Sequence, residues 1–371
     1  MKLIVKTLHG VEDLLAKELE KLGATEITPQ RRAVACEADK KTLYLINLKS
    51  RFALRVLVTC VSFQATNDKE VYDHVYSYNW HEVIDPNKSI MIDHITFSQT
   101  FSNSQYLAQR AKDAIVDQIR NKRGSRPSVD FEHPDILLNI HATDDLITVS
   151  LDASGTSLNR RGYRNINWPT ATNEVLAAAL VELSGWNPSL TLHDPLCGSG
   201  TICIEAAMKA RNIAANIYRK EPFAFTNWLD FDKKMWDEIV EQAKAEQNNV
   251  RLSIIGSDVD PEALDVAKLA TLDLGLNREI RTIRRTFREA ERTTVDGVII
   301  TRPPATEEET RRDLEDLYKE ITYYFSRRFP DHDAWIYSTN MKALRAIEFR
   351  SEKKFEIYNG SQEGNFNLYP F

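Results

Sequence analysis

The sequence predicts an α/β fold with a mainly parallel sheet in the C-terminal half of the chain. Between residues 189 and 339, short apolar segments alternate with amphipathic segments of helical spacing. This alternation is typical of a parallel sheet covered by helices. Within the first 63 residues the order is strand, helix, strand, strand, helix, strand, which is the ferredoxin-like order. At 371 residues the chain is too long for one ordinary core, so we expect several domains.

Composition and charge are those of a globular protein and restrict the kinds of partner that it can bind. Hydrophobic residues make up 42% and charged residues 27% of the chain. Because no run of about 18 apolar residues exists, we expect no membrane span and no signal-peptide core. The four cysteines lack metal-ligand spacing, which predicts no metal site and a reducing, cytoplasmic location. Since the net charge is −6, contacts with nucleic acid must come from local patches.

The N-terminal elements follow the ferredoxin-like order one by one. They are a strand at 2–8, a helix between Gly10 and Gly23, strands around Ile27 and at 34–36, a helix near 43–48 and a strand at 52–63. This fold hosts many functions, so the order alone does not indicate one.

Residues 64–154 form a second predicted unit with a basic helix end. Its elements are a strand at 90–96, a helix at 106–120 and a hairpin of strands at 136–140 and 146–151. Just beyond the helix the chain becomes basic. The candidate RNA contacts there are Lys122, Arg123 and Arg126.

The linker at 155–185 carries a second basic group. Arg160, Arg161 and Arg164 flank Tyr163, a mixture suited to phosphate contact together with base stacking. The alternative is an exposed linker whose charges only keep it solvated, which is what such runs usually do. The arginines at 278–292 are interleaved with glutamates, a pattern more typical of a salt-bridged surface than of a binding patch.

A glycine turn after the first C-terminal strand is the most informative stretch. The chain turns from Asp194 through Gly198 and Gly200 and enters a helix at Thr201. A strand, a glycine turn and a helix N-terminus favour anions and let a ligand approach the backbone. No lysine follows Gly200, which excludes a P-loop, and Cys203 stands where a dinucleotide fingerprint needs its third glycine. A tight turn without a ligand is the alternative.

The next strand, at 252–257, ends in an acid at Asp258. An acid in that place can accept hydrogen bonds from both ribose hydroxyls of a nucleoside cofactor. The alternative role, capping of the following helix, suits Asp260 better, because Pro261 would then be the first helical residue.

The string Asp-Pro-Leu-Cys-Gly-Ser-Gly-Thr at 194–201 resembles motif I of the Rossmann-like methyltransferases that use S-adenosylmethionine (SAM). Within them it is similar to the branch that modifies exocyclic amines of nucleic-acid bases. The resemblance implies SAM as the cofactor. The residues that it implies for binding are Asp194, Cys197, Gly198, Ser199, Gly200, Thr201 and Asp258.

The preceding region resembles the THUMP domain of RNA-modifying enzymes, on Asn103–Tyr106, Lys112–Asp117 and Arg126–Asp130. With both regions taken together, the chain resembles the bacterial THUMP–Rossmann methyltransferases that modify the guanine N2 amine of large-subunit ribosomal RNA. This implies an RNA partner, either 23S rRNA or a pre-ribosomal particle, and does not indicate an oligomeric state.

The implied domain division has four parts. They are a ferredoxin-like module at 1–63, a THUMP module at 64–154, a basic linker and helix at 155–185, and a Rossmann-like domain at 186–371.

The fourth strand, at 296–301, leads into the loop that carries catalysis in the resembled family. That loop is Asn-Pro-Pro followed by Tyr or Phe in the family, and Arg302-Pro303-Pro304-Ala305 here. Arginine has donors only, so it cannot accept a hydrogen bond from the target amine. Ala305 lacks the ring that stacks on the base, a contact worth about 1–3 kcal/mol. With Arg302, Pro303 and Pro304 at the catalytic positions, we expect SAM to bind and methyl transfer to be slow or absent.

Three functions are compatible with these residues. The resemblance favours SAM-dependent methylation of guanine N2 in 23S rRNA. The altered loop favours a catalytically silent RNA-binding or ribosome-assembly protein that retains the fold. DNA adenine N6 methylation shares motif I and the Pro-Pro loop, but it has no use for a THUMP module. Transfer of a labelled methyl group to deproteinised rRNA distinguishes them.

Overall fold

Two sheets, one in each half of the chain, organise the protein. The structure is a computed structural model that describes residues 1–164, 168–306 and 313–371. An eight-stranded sheet occupies the N-terminal half, and a seven-stranded, mainly parallel sheet occupies the C-terminal half. This confirms the predicted α/β class.

The ferredoxin-like order is confirmed at the N-terminus. Its elements are β1 (Lys2–Lys6), α1 (Glu12–Lys21), β2 (Thr25–Gln30), β3 (Ala33–Glu37), α2 (Lys40–Lys49) and β4 (Arg55–Gln64). Antiparallel pairing gives the strand order β2-β3-β1-β4. Strand β4 begins later than the predicted residue 52, because the preceding turn is held by Glu18, whose carboxylate accepts from the backbone N–H of Arg51 at 2.8 Å.

The second unit extends the same sheet. Its elements are α3 (Asp68–Ser77), a 3₁₀ turn (Trp80–Glu82), β5 (Ser89–Phe97), α4 (Ser104–Arg123), β6 (Ser128–Val129), β7 (Ile136–Thr143) and β8 (Leu146–Asp152). Strand β8 pairs antiparallel with β4 along its whole length. The two N-terminal modules therefore share one continuous ladder, which local sequence patterns could not reveal.

The C-terminal half is built around a central parallel sheet. Its elements are α5 (Glu174–Leu183), β9 (Thr191–Asp194), α6 (Thr201–Ala210), a 3₁₀ turn (Ala224–Asn227), α7 (Lys233–Ala245), β10 (Ile254–Asp258), α8 (Pro261–Asp273), β11 (Ile280–Arg284), β12 (Gly297–Thr301), α9 (Leu314–Arg328), β13 (Asp333–Ser338), α10 (Met341–Ala346), β14 (Lys353–Glu356) and β15 (Asn365–Pro370). The strand order is β11-β10-β9-β12-β13-β15-β14. Strands β14 and β15 are antiparallel, and the ends of β9, β10 and β12 meet at one edge.

The two halves pack against each other through buried side chains and backbone hydrogen bonds. The ring of Tyr44 in α2 stacks on Phe225 with centroids 4.5 Å apart. The backbone N–H of Phe225 donates to the Ala153 carbonyl at 3.1 Å. Among the described helices, none is long and apolar enough to cross a membrane.

Candidate functional site

A cleft of about 460 Å³ opens where the parallel strands β9, β10 and β12 end. Open α/β sheets bind ligands at this edge. Three groups of residues line it: the motif I loop with the end of β10, the segment after β11, and the turn before α5 with the loop after β12. The lining residues that carry the argument are Trp168, Thr170, Cys197, Gly198, Ser199, Asp258, Phe287, Arg302 and Pro304.

The motif I loop owes its shape to two glycines with left-handed backbones. Gly198 has φ +51° and Gly200 has φ +76°. A Cβ on Gly200 would lie 3.0 Å from the Cβ of Ala267, whereas nothing lies within 4 Å of a Cβ built on Gly198. Gly200 is therefore needed for packing of the loop on α8. Gly198 leaves open space in which a ligand can approach the backbone.

Asp258 bridges the cofactor loop and the start of α8. Its carboxylate accepts from the backbone N–H of Gly198 at 2.8 Å and from that of Asp260 at 3.0 Å. A carboxylate has about four lone-pair sites, so it retains capacity for two ribose hydroxyls. The predicted capping role of Asp260 is confirmed, because its side chain accepts from Glu262 N–H at 2.9 Å and Pro261 opens the helix.

Asp194 connects the ends of β9 and β12 from beneath the cleft. It is 1% exposed, and the Thr301 hydroxyl donates to its Oδ1 at 2.7 Å. Burial raises the pKa of the Asp194 carboxyl to about 7, although the hydrogen bond from Thr301 favours the charged form. This residue fixes the two loops to each other.

The predicted cofactor residues divide into lining and supporting groups. Cys197, Gly198, Ser199 and Asp258 line the cleft, whereas Asp194, Gly200 and Thr201 are buried behind it. The four lining residues form the surface that we call the cofactor wall, and the buried three support it; the binding role of all seven stays a prediction. Ser199 Oγ is buried and has no hydrogen-bond partner among the described residues. Such an orphaned hydroxyl in a cleft wall fits a polar ligand.

The Arg-Pro-Pro-Ala loop at 302–305 forms the opposite wall of the cleft, which we call the loop wall. It is held by hydrogen bonds to its backbone. The Tyr318 hydroxyl donates to the Pro304 carbonyl at 3.0 Å, and Asn340 Nδ2 donates to the Ala305 carbonyl at 3.2 Å. Arg302 Nη1 donates to the Thr170 carbonyl at 3.2 Å. Arg302 and Pro304 line the cleft, whereas Pro303 is buried. Ala305 is 8% exposed and does not line the cleft.

Two lining segments were missed by sequence reasoning. One is the turn at 168–172, and the other is the segment at 285–288 directly after β11. The backbone N–H of Arg285 donates to the Asp258 carbonyl at 3.1 Å, which places the second segment on the cofactor wall. Its position at the end of a parallel strand was the available signal. The charge pattern there suggested only surface salt bridges.

The predicted RNA contact through the linker is wrong for Arg161 and Tyr163. Arg161 is 1% exposed, and its guanidinium donates to the carbonyls of Leu158 at 2.9 Å and Arg51 at 2.5 Å. Tyr163 is 3% exposed and donates to Glu205 at 2.9 Å. Both side chains hold the N-terminal region against α6, because a buried guanidinium needs carbonyl and carboxylate partners.

The remaining linker arginines differ from each other. Arg164 lies between Glu174, 3.1 Å from its carboxylate, and the Thr201 hydroxyl at 3.0 Å, so it also supports the motif I helix. Arg160 is exposed. The cations after α4, namely Lys122, Arg123 and Arg126, are exposed as well. Arg126 lines a second cavity of about 720 Å³ together with Arg110 and Lys112.

In the part of the chain that the structure describes, no group of three or more His, Cys, Asp or Glu side chains could hold a metal ion. Burial raises the pKa of the Cys197 and Cys203 thiols well above their usual range. Both thiols are therefore neutral at ordinary pH.

Comparison with known domain families assigns each region. Residues 2–57 match the RlmL ferredoxin-like domain, residues 65–152 match the THUMP domain, and residues 161–367 match UPF0020, described as an RMKL-like methyltransferase domain.

Curated relatives are similar over nearly the whole chain. A Synechocystis protein, provisionally named an RNA methyltransferase, is 35% identical over 354 residues, covering 95% of this chain and 92% of that protein. A Syntrophotalea carbinolica protein named ribosomal RNA large subunit methyltransferase K/L is 34% identical over 367 residues. That match covers 95% of this chain and 51% of the relative. The chain thus spans about half the length of the K/L relatives.

Solved structures resemble the whole chain, not one domain alone. SMU.472, provisionally described as a methyltransferase and crystallised with S-adenosylhomocysteine (SAH), has a TM-score of 0.90 at 26% identity, covering 100% of this chain and 97% of that one. A Listeria monocytogenes protein described as a predicted N6-adenine-specific DNA methylase has a TM-score of 0.89 at 25% identity, covering 99% and 95%. With the open cofactor wall at Gly198, Ser199 and Asp258, these matches show that the chain belongs to the UPF0020 family of RMKL-like methyltransferase domains and uses SAM.

Proposed function

We propose that this protein transfers the methyl group of SAM to the N2 amine of a guanine in large-subunit ribosomal RNA. The observation that carries the proposal is the single cleft that joins the motif I loop and Asp258 to Arg302 and Pro304. The names of the K/L relatives and the THUMP match support RNA as the substrate.

The cofactor wall offers groups that suit each part of SAM. Asp258 would accept the ribose hydroxyls, and the backbone at Gly198 with the orphaned Ser199 hydroxyl would contact polar groups nearby. SAM supplies a methyl group activated by a positively charged sulfur. Because Cys197 lines the cleft as a neutral thiol, it does not compete with the substrate as a nucleophile.

The loop wall offers an acceptor and a donor to the base. A carbonyl oxygen has two lone pairs, so the Pro304 carbonyl can accept from a target amine while it accepts from Tyr318. We assign the amine-orienting role to this carbonyl, since Arg302 cannot accept. Arg302 brings donors, which suit the O6 acceptor of guanine and not the amino group of adenine. Orientation of the amine lone pair toward the methyl group is the main catalytic contribution.

We propose that Lys122, Arg123, Arg126 and Arg160 contact RNA phosphates. All four are exposed, and the first three lie together at the end of α4, next to the cavity lined by Arg110 and Lys112. Phosphate contacts of this kind give salt-dependent binding with little sequence preference. The N-terminal region would then supply affinity, while the cleft supplies the choice of base.

The test is methyl transfer from labelled SAM to an unmodified transcript of large-subunit rRNA, followed by nucleoside analysis. We expect N2-methylguanosine as the product. A transcript in which inosine replaces guanosine lacks the N2 amine and should accept no label. The variant Asp258→Ala should weaken SAM binding by roughly 10- to 100-fold, since it removes a charged hydrogen-bonding group. Asp265→Ala, an exposed change on α8, is the matched control.

Two outcomes contradict the proposal. If wild-type protein binds SAM but labels neither transcript, the chain is a silent RNA-binding protein. If label enters the inosine transcript or appears as N6-methyladenosine, the target amine is different.

A further inference from the structure

The cleft presents an aromatic ring on its loop wall that does not belong to the Arg-Pro-Pro-Ala loop. Of the described lining residues, Trp168 and Phe287 carry aromatic rings. Phe287 is 7% exposed, packs edge-on against Tyr324 and belongs to the cofactor wall through its neighbour Arg285. Trp168 is partly exposed.

The backbone fixes Trp168 beside the Arg-Pro-Pro-Ala loop. The N–H of Ala171 donates to the Trp168 carbonyl at 3.1 Å, which closes a β-turn with Pro169 in its second position. The next residue of the turn, Thr170, accepts from Arg302 Nη1 at 3.2 Å, and Thr172 accepts from Arg164 Nη2 at 3.2 Å. The turn is therefore tied to the loop wall at one point and to the linker at another.

Ala305 supplies no stacking ring to the cleft. Ala305 is 8% exposed, its carbonyl is bound by Asn340, and it does not line the cleft. The absence of an aromatic residue at 305 thus leaves the stacking role to another part of the wall.

We propose that Trp168 stacks on the target base and positions it for methyl transfer. The inference rests on the proposed function and names the residue that replaces the missing ring. An indole offers a larger face than a phenol, and stacking on it tolerates any base. The Pro304 carbonyl and Arg302 then select the base, and Trp168 holds it in the cleft.

The experiment compares wild type with Trp168→Ala and Trp168→Phe in the full-length protein. With saturating SAM and the rRNA transcript, Trp168→Ala should lower kcat/KM for RNA by about 5- to 150-fold, the range that base stacking supports. Trp168→Phe should recover most of the loss. The dissociation constant of SAM should stay within about twofold for both variants. Leu272→Ala, an exposed change on α8 outside the cleft, is the matched control and should alter neither quantity.

A second readout does not depend on activity. Saturation-transfer NMR with guanosine 5′-monophosphate, in the presence of SAH, should show transfer to the base protons for wild type and Trp168→Phe and a loss for Trp168→Ala. Retained transfer in Trp168→Ala, or a kcat/KM equal to that of wild type, overturns the assignment. If wild type transfers no methyl group but the NMR pattern holds, the proposed function fails while the stacking role stands.

Discussion

The two walls of the cleft are supported in different ways. Behind the cofactor wall, helix α6 carries Glu205, which is 1% exposed and lies 3.6 Å from Arg161 and 2.9 Å from the Tyr163 hydroxyl. Behind the loop wall, the support is neutral: the Tyr318 hydroxyl contacts Pro304 and, at 2.7 Å, Ser338. Removal of one partner from a buried ion pair leaves an uncompensated charge and strongly lowers the free energy of unfolding. Removal of one partner from a neutral hydrogen bond lowers it only slightly.

The charged support also connects the two halves of the molecule. Arg161 donates to carbonyls of the turn before β4, and Arg51 of that turn donates to the Ile213 carbonyl at 2.6 Å, after α6. The helix that follows the cofactor loop is thus bonded to the N-terminal region. A methyltransferase built in this way keeps its cofactor wall and its N-terminal region in a fixed relation.

The largest expected effect breaks the charged support. Glu205→Ala leaves Arg161 buried without its carboxylate, so we expect a loss of about 3–5 kcal/mol in the free energy of unfolding. Urea denaturation followed by circular dichroism measures it. Glu182→Ala removes a surface partner of Lys209, 2.7 Å away, and should cost less than about 1 kcal/mol. Equal costs for the two variants would show that the cluster is not a support.

The second effect is a pH dependence at Asp194. Its pKa rises from the usual value near 4 to about 7, because burial disfavours the charged form. The folded state therefore holds the proton more tightly than the unfolded chain, and stability falls as pH rises between about 4 and 7. Asp194→Asn does not titrate and can still accept from Thr301. Relative to wild type, we expect the variant to gain a few kcal/mol by pH 8, at about 1.4 kcal/mol per pKa unit.

Urea midpoints measured at pH 5, 6, 7 and 8 decide this prediction. The difference between the two proteins should grow up to about pH 7 and then level off. Parallel profiles would mean that Asp194 is already ionised at pH 5 in the folded protein. Because the residue joins β9 to β12, this measurement reports on the connection between the two walls.

Sequence patterns predicted what is local and missed what depends on distant partners. The glycine turn, the cap at Asp260 and the ferredoxin-like order each rest on neighbouring residues, and the structure confirms them. Arg161 carries no local sign of burial, since its acceptors other than the Leu158 carbonyl come from the turn before β4 and from α6. A basic residue beside a tyrosine looks the same in a linker that binds RNA and in one that holds two domains together.

The candidate site shows the same limit. Motif I and the Pro-Pro loop were visible because family patterns mark them. The turn at 168–172 was not, because it joins the cleft through a hydrogen bond from Arg302 to Thr170, a contact 132 positions apart in the chain. Nothing in Trp-Pro-Thr-Ala-Thr as a string indicates a ligand.

The smallest expected effect tests the neutral support. Tyr318→Phe removes the hydroxyl that donates to the Pro304 carbonyl and contacts Ser338. One neutral hydrogen bond is worth about 1 kcal/mol, so we expect the free energy of unfolding to fall by that amount. The dissociation constant of SAM, measured by calorimetry, should stay within about twofold, because the hydroxyl lies behind the other wall. Tyr323→Phe, on an exposed ring of the same helix, controls for the substitution itself. A tenfold change in SAM affinity would show that the two walls respond as one unit, and the contrast between charged and neutral support would then have no functional meaning.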